Sequence, residues 1–196
     1  MKSLFRHAAL ALVTIGFLSG CASSVTRDAG NQAGAAVTAS TTQFGTKPVI
    51  VKVTLDNAAQ EALKDNLKFD AKKLQEKIEN ALDARKLLAK ADSTDAMHLN
   101  VEVTGIRVRS SFSAVMFGFM AGSDYIDGTV TFTDADNHPV DHFKVSASYA
   151  LGGIAGVDSI RMDWLYEKFT EKTLATLDPA TAAQQANAAS AASKKL

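Results

Sequence analysis

Cysteine occurs once in the 196 residues, and no charge of one sign dominates: 21 Lys and Arg stand against 21 Asp and Glu, with a pI near 6.9. The single Cys excludes an internal disulfide framework and any thiolate metal cage. Balanced charge leaves no broad basic field to neutralise phosphates, so nucleic acid is not an expected partner. The apolar run from Ala8 to Leu18 stops well short of the ~20 residues that a membrane-spanning helix needs. Catalytic signatures are missing as well. There is no Gly-x-Ser-x-Gly elbow, and Gly152-Gly153-Ile154-Ala155-Gly156 lacks the Lys-Ser/Thr ending of a phosphate-binding loop. What is present is a hydrophobic fraction of 46%, too high for a wholly disordered chain. The length fits one ordinary domain with appendages.

The first appendage is an address. Lys2 and Arg6 form a positive start, Ala8 to Leu18 an apolar core, and Leu18-Ser19-Gly20-Cys21 the close. This reads as a signal peptide over residues 1–20, and its end resembles a bacterial lipobox. In that chemistry the Cys21 thiolate takes up a diacylglyceryl group, and small Ser19 and Gly20 admit the peptidase. Removing residues 1–20 takes away Lys2 and Arg6 and no acid, leaving 19 basic against 21 acidic side chains, formally −2. Two or three acyl chains, at about 0.8 kcal/mol per buried methylene, hold a protein at a bilayer almost permanently. Ala22 stands where an Asp would signal inner-membrane retention, so the resemblance implies the outer membrane, facing the periplasm or the cell surface.

Residues 21–46 are mostly Ala, Ser, Thr, Gly and Gln and predict a flexible tether. Residues 179–196, Ala-rich without an apolar stripe, predict a frayed or disordered tail. Between them, residues 47–178 carry nearly all the large apolar side chains and predict a single α/β domain. Val49, Val51, Val53 and Leu55 alternate as a first strand. Asn57 to Leu67 suits an irregular turn or short helix. Phe69-Asp70 looks like a helix entry, with Leu74, Ile78 and Leu82 following at i+4. Met97, Leu99, Val101 and Val103 form the clearest strand, with a phase change at Gly105 that suggests a bulge. Ile126, Val130 and Phe132 mark a third strand, Asp134 to Pro139 a polar turn, and Phe143, Val145, Ala147 and Tyr149 its partner. A last helix runs from about Asp158 to Leu177. Strand, helix, three strands and helix predict a mixed or antiparallel sheet with its helices packed on one face.

From Arg107 onward the text is specific. Phe119-Met120-Ala121-Gly122-Ser123-Asp124-Tyr125-Ile126 enters a strand, and His142-Phe143-Lys144-Val145-Ser146-Ala147-Ser148 follows the polar hairpin. Gly152-Gly153 then precedes a helix with Arg161 and Trp164. This resembles the bacterial lipoproteins grouped as the domain of unknown function 4410 family, over roughly Val49 to Leu177. More remotely, the strand order is similar to periplasmic domains of curli-type secretion lipoproteins and of lipoprotein activators of peptidoglycan synthases, a likeness of fold that carries no function.

The search for chemistry yields little. Asp134, Asp136, Asp141, His138 and His142 are the densest set of possible ligands. An EF-hand, however, needs Gly where Pro139 stands and Glu where Val145 stands, and Pro139 breaks a helical His-x-x-x-His zinc spacing. Asp124 with Asp127, or Asp163 with Glu167, are conceivable acid–base pairs; the latter suit the wet face of a helix. No metal or cofactor is expected, and the chain is not read as an enzyme. One segment resists a bland account. Phe112, Val115, Met116, Phe117, Phe119 and Met120 lie between two strands, where loops should be polar. They either cover the sheet as a short helix or strand extension, or form an exposed patch for a partner protein or the bilayer. Arg107 and Arg109 beside them suit lipid phosphates or acids of a partner, and Trp164 on the last helix is a further candidate anchor. The expectation is a lipid-anchored, non-enzymatic envelope module with an envelope-protein partner or self-association. The alternative is a small-ligand or peptidoglycan-binding module using a cleft near Phe117, Phe119 and Trp164.

Overall fold

The computed structural model describes residues 21–27, 47–90, 93–151 and 157–177. Five strands form one mixed sheet in the order β1-β5-β4-β3-β2: β1 (Cys21–Thr26), β2 (Val49–Leu55), β3 (Met97–Arg107), β4 (Asp124–Thr133) and β5 (Pro139–Tyr149). Only β2 and β3 are parallel. Parallel neighbours need a crossover, which α1 (Asn57–Leu63) and α2 (Ala71–Ala84) supply. A short α3 (Ser111–Phe117) and a 3-10 turn (Gly118–Ala121) link β3 to β4, and α4 (Asp158–Leu174) closes the domain. The α/β class, with helices packed against the sheet, is as the alternation of patterns predicts.

Period-two alternation builds the core. Leu99, Val101, Ile126, Val130, Phe132, Phe143 and Val145 turn inward and are essentially inaccessible. Against them lie Leu74, Ile78 and Leu82 of α2 and Leu165 and Phe169 of α4. Asp70 caps α2, its carboxylate accepting from the N–H groups of Lys72 and Lys73 at 2.9 and 3.3 Å. The Asp70 N–H in turn donates to the Tyr166 hydroxyl at 2.8 Å and ties α2 to α4. The Gly105 bulge is present: the β3–β4 register shifts between Val103 and Gly105.

The outward face of the sheet is polar. One row across it reads Thr26, Lys144, Thr129, Glu102 and Thr54, from the first strand to the last. A shallow concavity of about 410 Å³ lies here beside Thr104, Asp127 and Ser146.

The tether expectation needs correction at its start. Cys21 to Thr26 is a strand, paired antiparallel with β5 from Cys21↔Tyr149 to Thr26↔Lys144. Small residues pair there through their backbones, a signal that apolar periodicity does not register. Arg27 fastens the strand's end, donating to Asp141 at 3.1 Å with its guanidinium 4.8 Å from the Phe143 ring centre. Residues 28–46, the leader over 1–20, the Gly152–Gly156 run and the tail over 179–196 lie outside the described residues. Among the described residues no helix is long and apolar enough to cross a membrane.

Phe169 of α4 presses on Gly128 of β4, where an added Cβ would lie 2.8 Å from Phe169 Cζ and 3.1 Å from the Glu102 carbonyl oxygen. Overpacking of this kind costs about 1–3 kcal/mol. Gly128→Ala is therefore expected to lower the urea-unfolding free energy by about that amount, and an unchanged midpoint would show that α4 does not bear on the sheet there.

Candidate functional site

The apolar segment occupies one end of the sheet. β3 ends at Arg107 and β4 begins at Asp124, and the chain between them rises as α3 and the 3-10 turn. The Ser110 hydroxyl caps α3 by accepting from the Ser113 N–H at 3.1 Å. Two glycines at positive φ, Gly118 (50°) and Gly122 (84°), let the chain double back to β4. Gly122 also leaves room for Arg107, which donates to the carbonyls of Ala121 and Ser123 at 3.2 and 3.4 Å. Only Ala114 of α3 is buried. Phe112 is 68% exposed, Met116 64%, Phe117 53%, Phe119 75% and Met120 78%. The segment is thus a short helix, but it stands off the end of the sheet and leaves the polar face uncovered. The Phe112 and Phe117 rings meet edge to face at 6.0 Å, a small apolar cluster of their own.

Beneath this projection lies a sealed cluster of charges. Asp124, fully buried, accepts from Arg161 Nη1 with both oxygens at 2.7 Å, from Arg109 Nη2 at 3.0 Å and from the Arg109 backbone N–H at 2.6 Å. Arg109 reaches on to the carbonyls of Gly118 (2.5 Å), Tyr149 (3.1 Å) and Leu151 (3.3 Å). Arg161 reaches the Arg109 carbonyl at 3.1 Å and the Asp158 carboxylate. Asp158 Oδ2 also receives Lys68 at 2.7 Å and Ser111 at 2.8 Å. The expectation that Arg109 faces lipid or a partner is thereby corrected: its side chain is inside, holding chain ends together. Burial pushes the Asp158 carboxyl up, but hydrogen bonds from Lys68, Arg161 and Ser111 outweigh it and hold its pKa at about 2.

The other candidates disperse. Asp124 and Asp127 lie on opposite faces of β4, so they form no pair. Asp163 and Glu167 are exposed on α4, with Asp163 at 4.0 Å from Lys77. Trp164 does not join the exposed patch; it is half-buried, 5.3 Å from the Tyr149 ring. Asp134, Asp136 and His138 do approach within 4.8 Å of one another. The turn itself explains that approach. Asp134 Oδ1 accepts from the N–H groups of Asp136 and His138 at 3.0 and 2.8 Å, and these bonds lower its pKa. His142 bonds to Thr131 at 3.0 Å. A hollow of about 690 Å³ opens between the 64–68 loop and the start of α3. Three of its polar side chains are already engaged: Lys64 with Glu61, Asn66 with the Ala62 carbonyl and the Val108 N–H, and Lys68 with Ser111 and Asp158. What the site offers chemically is an apolar surface on a rigid ionic base.

The model of the family described as "domain of unknown function (DUF4410)" matches residues 37–153. No curated protein matches the chain. Among solved structures the chain is similar to the PelC dodecamer from Paraburkholderia phytofirmans and to a single-substitution variant of it. Each is 14% identical, over 80% of this chain and 96% of that one, with a TM-score of 0.42. A likeness so low says nothing of how either chain works.

Two outcomes test the ionic base. Asp124→Asn strips the carboxylate from two buried guanidiniums and is expected to cost about 3–5 kcal/mol in chemical unfolding; a loss below about 1 kcal/mol would mean that the arginines find other counter-charges. Asp158 has a lower pKa folded than unfolded, so the unfolded chain takes up its proton first. Its contribution is present above about pH 4 and lost as the pH falls through about 2. Asp158→Asn should flatten that part of the acid-unfolding profile, and an unaltered profile would remove Asp158 from the network.

Proposed function

The chain belongs to the domain of unknown function 4410 family, and we propose that it is a lipid-anchored protein of the bacterial cell envelope that works by contact, not catalysis. The lipobox at Leu18-Ser19-Gly20-Cys21 supports the anchor, and Ala22 after it supports the outer membrane. The observation that carries the contact reading is the projection at residues 112–120, where five large apolar side chains are more than half exposed. Such a patch is normally hidden unless something meets it. Among the described residues, the Arg109–Asp124–Arg161 cluster is closed to solvent and its terminal guanidinium nitrogens are occupied by carbonyls and carboxylates, which suits a scaffold better than a reaction. An envelope protein, a second copy or the membrane itself are the surfaces such a module would meet.

Wild-type protein expressed in cells is expected to incorporate labelled palmitate and to sediment with the envelope, and Cys21→Ser to lose both. Envelope sedimentation of Cys21→Ser at the wild-type level would sink the anchor. Joint replacement of Phe117 and Phe119 by Ser, at exposed positions, is expected to change unfolding free energy by no more than about 0.5 kcal/mol. It should nonetheless reduce crosslinks to envelope components in intact cells. A wild-type crosslinking pattern from the double variant would count against a contact role for the segment.

A further inference from the structure

The strand register brings the anchor and the apolar projection together. Cys21 pairs with Tyr149, and Tyr149 pairs on its other side with Asp124, the residue from which the projection returns. Two strand spacings, about 10 Å, separate Cys21 from Asp124. The Arg109 guanidinium ties β5, the strand between them, to the projection, donating to the Tyr149 carbonyl at 3.1 Å and to the Gly118 carbonyl at 2.5 Å. Because Cys21 is itself the first residue of β1, no length of free chain stands between a lipid attached there and the folded body.

The projection itself is uncharged, although the Lys64–Glu61 and Lys68–Asp158 ion pairs lie at the same end of the sheet. Residues 110–123 contain no Asp, Glu, Lys or Arg. The far end of the sheet carries the Asp134–His138 hairpin turn and the Lys47–Asp95 ion pair. Leu67, 84% exposed, and Leu151, 45%, add apolar surface at the Cys21 end. The core of a protein interface is also rich in aromatic side chains and Met, but it is set among hydrogen bonds and Tyr, Trp or Arg anchors that fix register. This segment offers Phe and Met side chains with a few serines. That composition suits the interior side of a lipid headgroup layer, which needs burial and no register.

Resting on the lipoprotein reading above, we infer that the end of the sheet bearing residues 112–120 is seated in the acyl boundary of the same bilayer leaflet that holds the Cys21 lipid. The short α3 and the 3-10 turn enter about 5–10 Å below the headgroups, and the ten residues of β4 carry the opposite hairpin roughly 33 Å away from them. The protein is then not a body swinging on a leash but one held upright, its polar sheet face and far hairpin presented at a fixed height.

The test exploits the single cysteine. An acylated Cys21 does not react with a nitroxide thiol reagent, so the wild-type protein, purified in detergent, should take up no label. Phe119→Cys and Asp136→Cys should then take up one each. Reconstituted in phosphatidylethanolamine–phosphatidylglycerol vesicles, the label at position 119 should collide with oxygen severalfold more than with a water-soluble nickel chelate, and the label at position 136 should show the reverse. Met120→Cys repeats the measurement should Phe119→Cys perturb the turn. Both reagents excluded at position 119 would mean that protein covers the patch, and nickel access there would mean water; either overturns the seated orientation while leaving the anchor intact. Stoichiometric label on the wild-type protein would instead overturn the lipoprotein reading, and the seated orientation with it.

Discussion

A carboxylate cut off from water, Asp124, takes charge-assisted hydrogen bonds from Arg109 and Arg161, and the terminal nitrogens of each guanidinium also reach carbonyls or Asp158. The Nε–H of both arginines is left without an acceptor. Ions this deep are expensive, and an apolar replacement of similar shape often stabilises a fold. Here the charges do what apolar packing cannot. The guanidinium forks fix the end of β3, the start of β4, the end of β5 and the first turn of α4 at one point. Four chain segments that would otherwise fray converge there, and the projection at residues 112–120 rises from that base. A segment whose own helix buries one alanine has no core to hold it, so its position is set almost wholly from below.

That base was partly legible in the sequence. Asp124 shares the inward phase of Ile126, Gly128, Val130 and Phe132, and Arg161 precedes Leu165 and Phe169 by four and eight on the helix stripe that faces the core. An acid and a base on two buried stripes imply a pair. Arg109 carried no such mark: it lies past the bulge and the end of β3, where no periodicity predicts its direction, and so it read as a surface charge. The strands and helices were legible because burial imposes periods of two and of about 3.6. The strand at Cys21–Thr26 was not, because Ser, Ala and Thr at an edge are held by backbone pairing and by Arg27. The exposed segment was recognisable as out of place, but whether it covered the sheet or stood clear of it depended on the two glycine reversals and on Arg107.

The edge strand changes what the proposed lipid anchor would do. A lipid on a long flexible tether localises a domain and leaves its orientation free, whereas a lipid on the first residue of a paired strand adds a second constraint. Orientation then depends on whether the surface around the attachment point tolerates the membrane. In this protein that surface has an uncharged crest of Phe and Met, with Arg107 occupied in bracing the turn behind it. Lys68 beside it is likewise engaged, paired with Asp158 and Ser111. Arg107 and Lys68 are thus paired within the protein, which lessens what has to be desolvated when the crest is covered. The polar sheet face, which carries no helix among the described residues and is lined by Ser, Thr, Glu102, Asp127 and Lys144, is the opposite case: it is costly to bury in lipid and well supplied with hydrogen-bonding groups. The fold therefore separates two kinds of surface by about a right angle, one suited to hydrocarbon at the end of the strands and one suited to water and polar partners along their side.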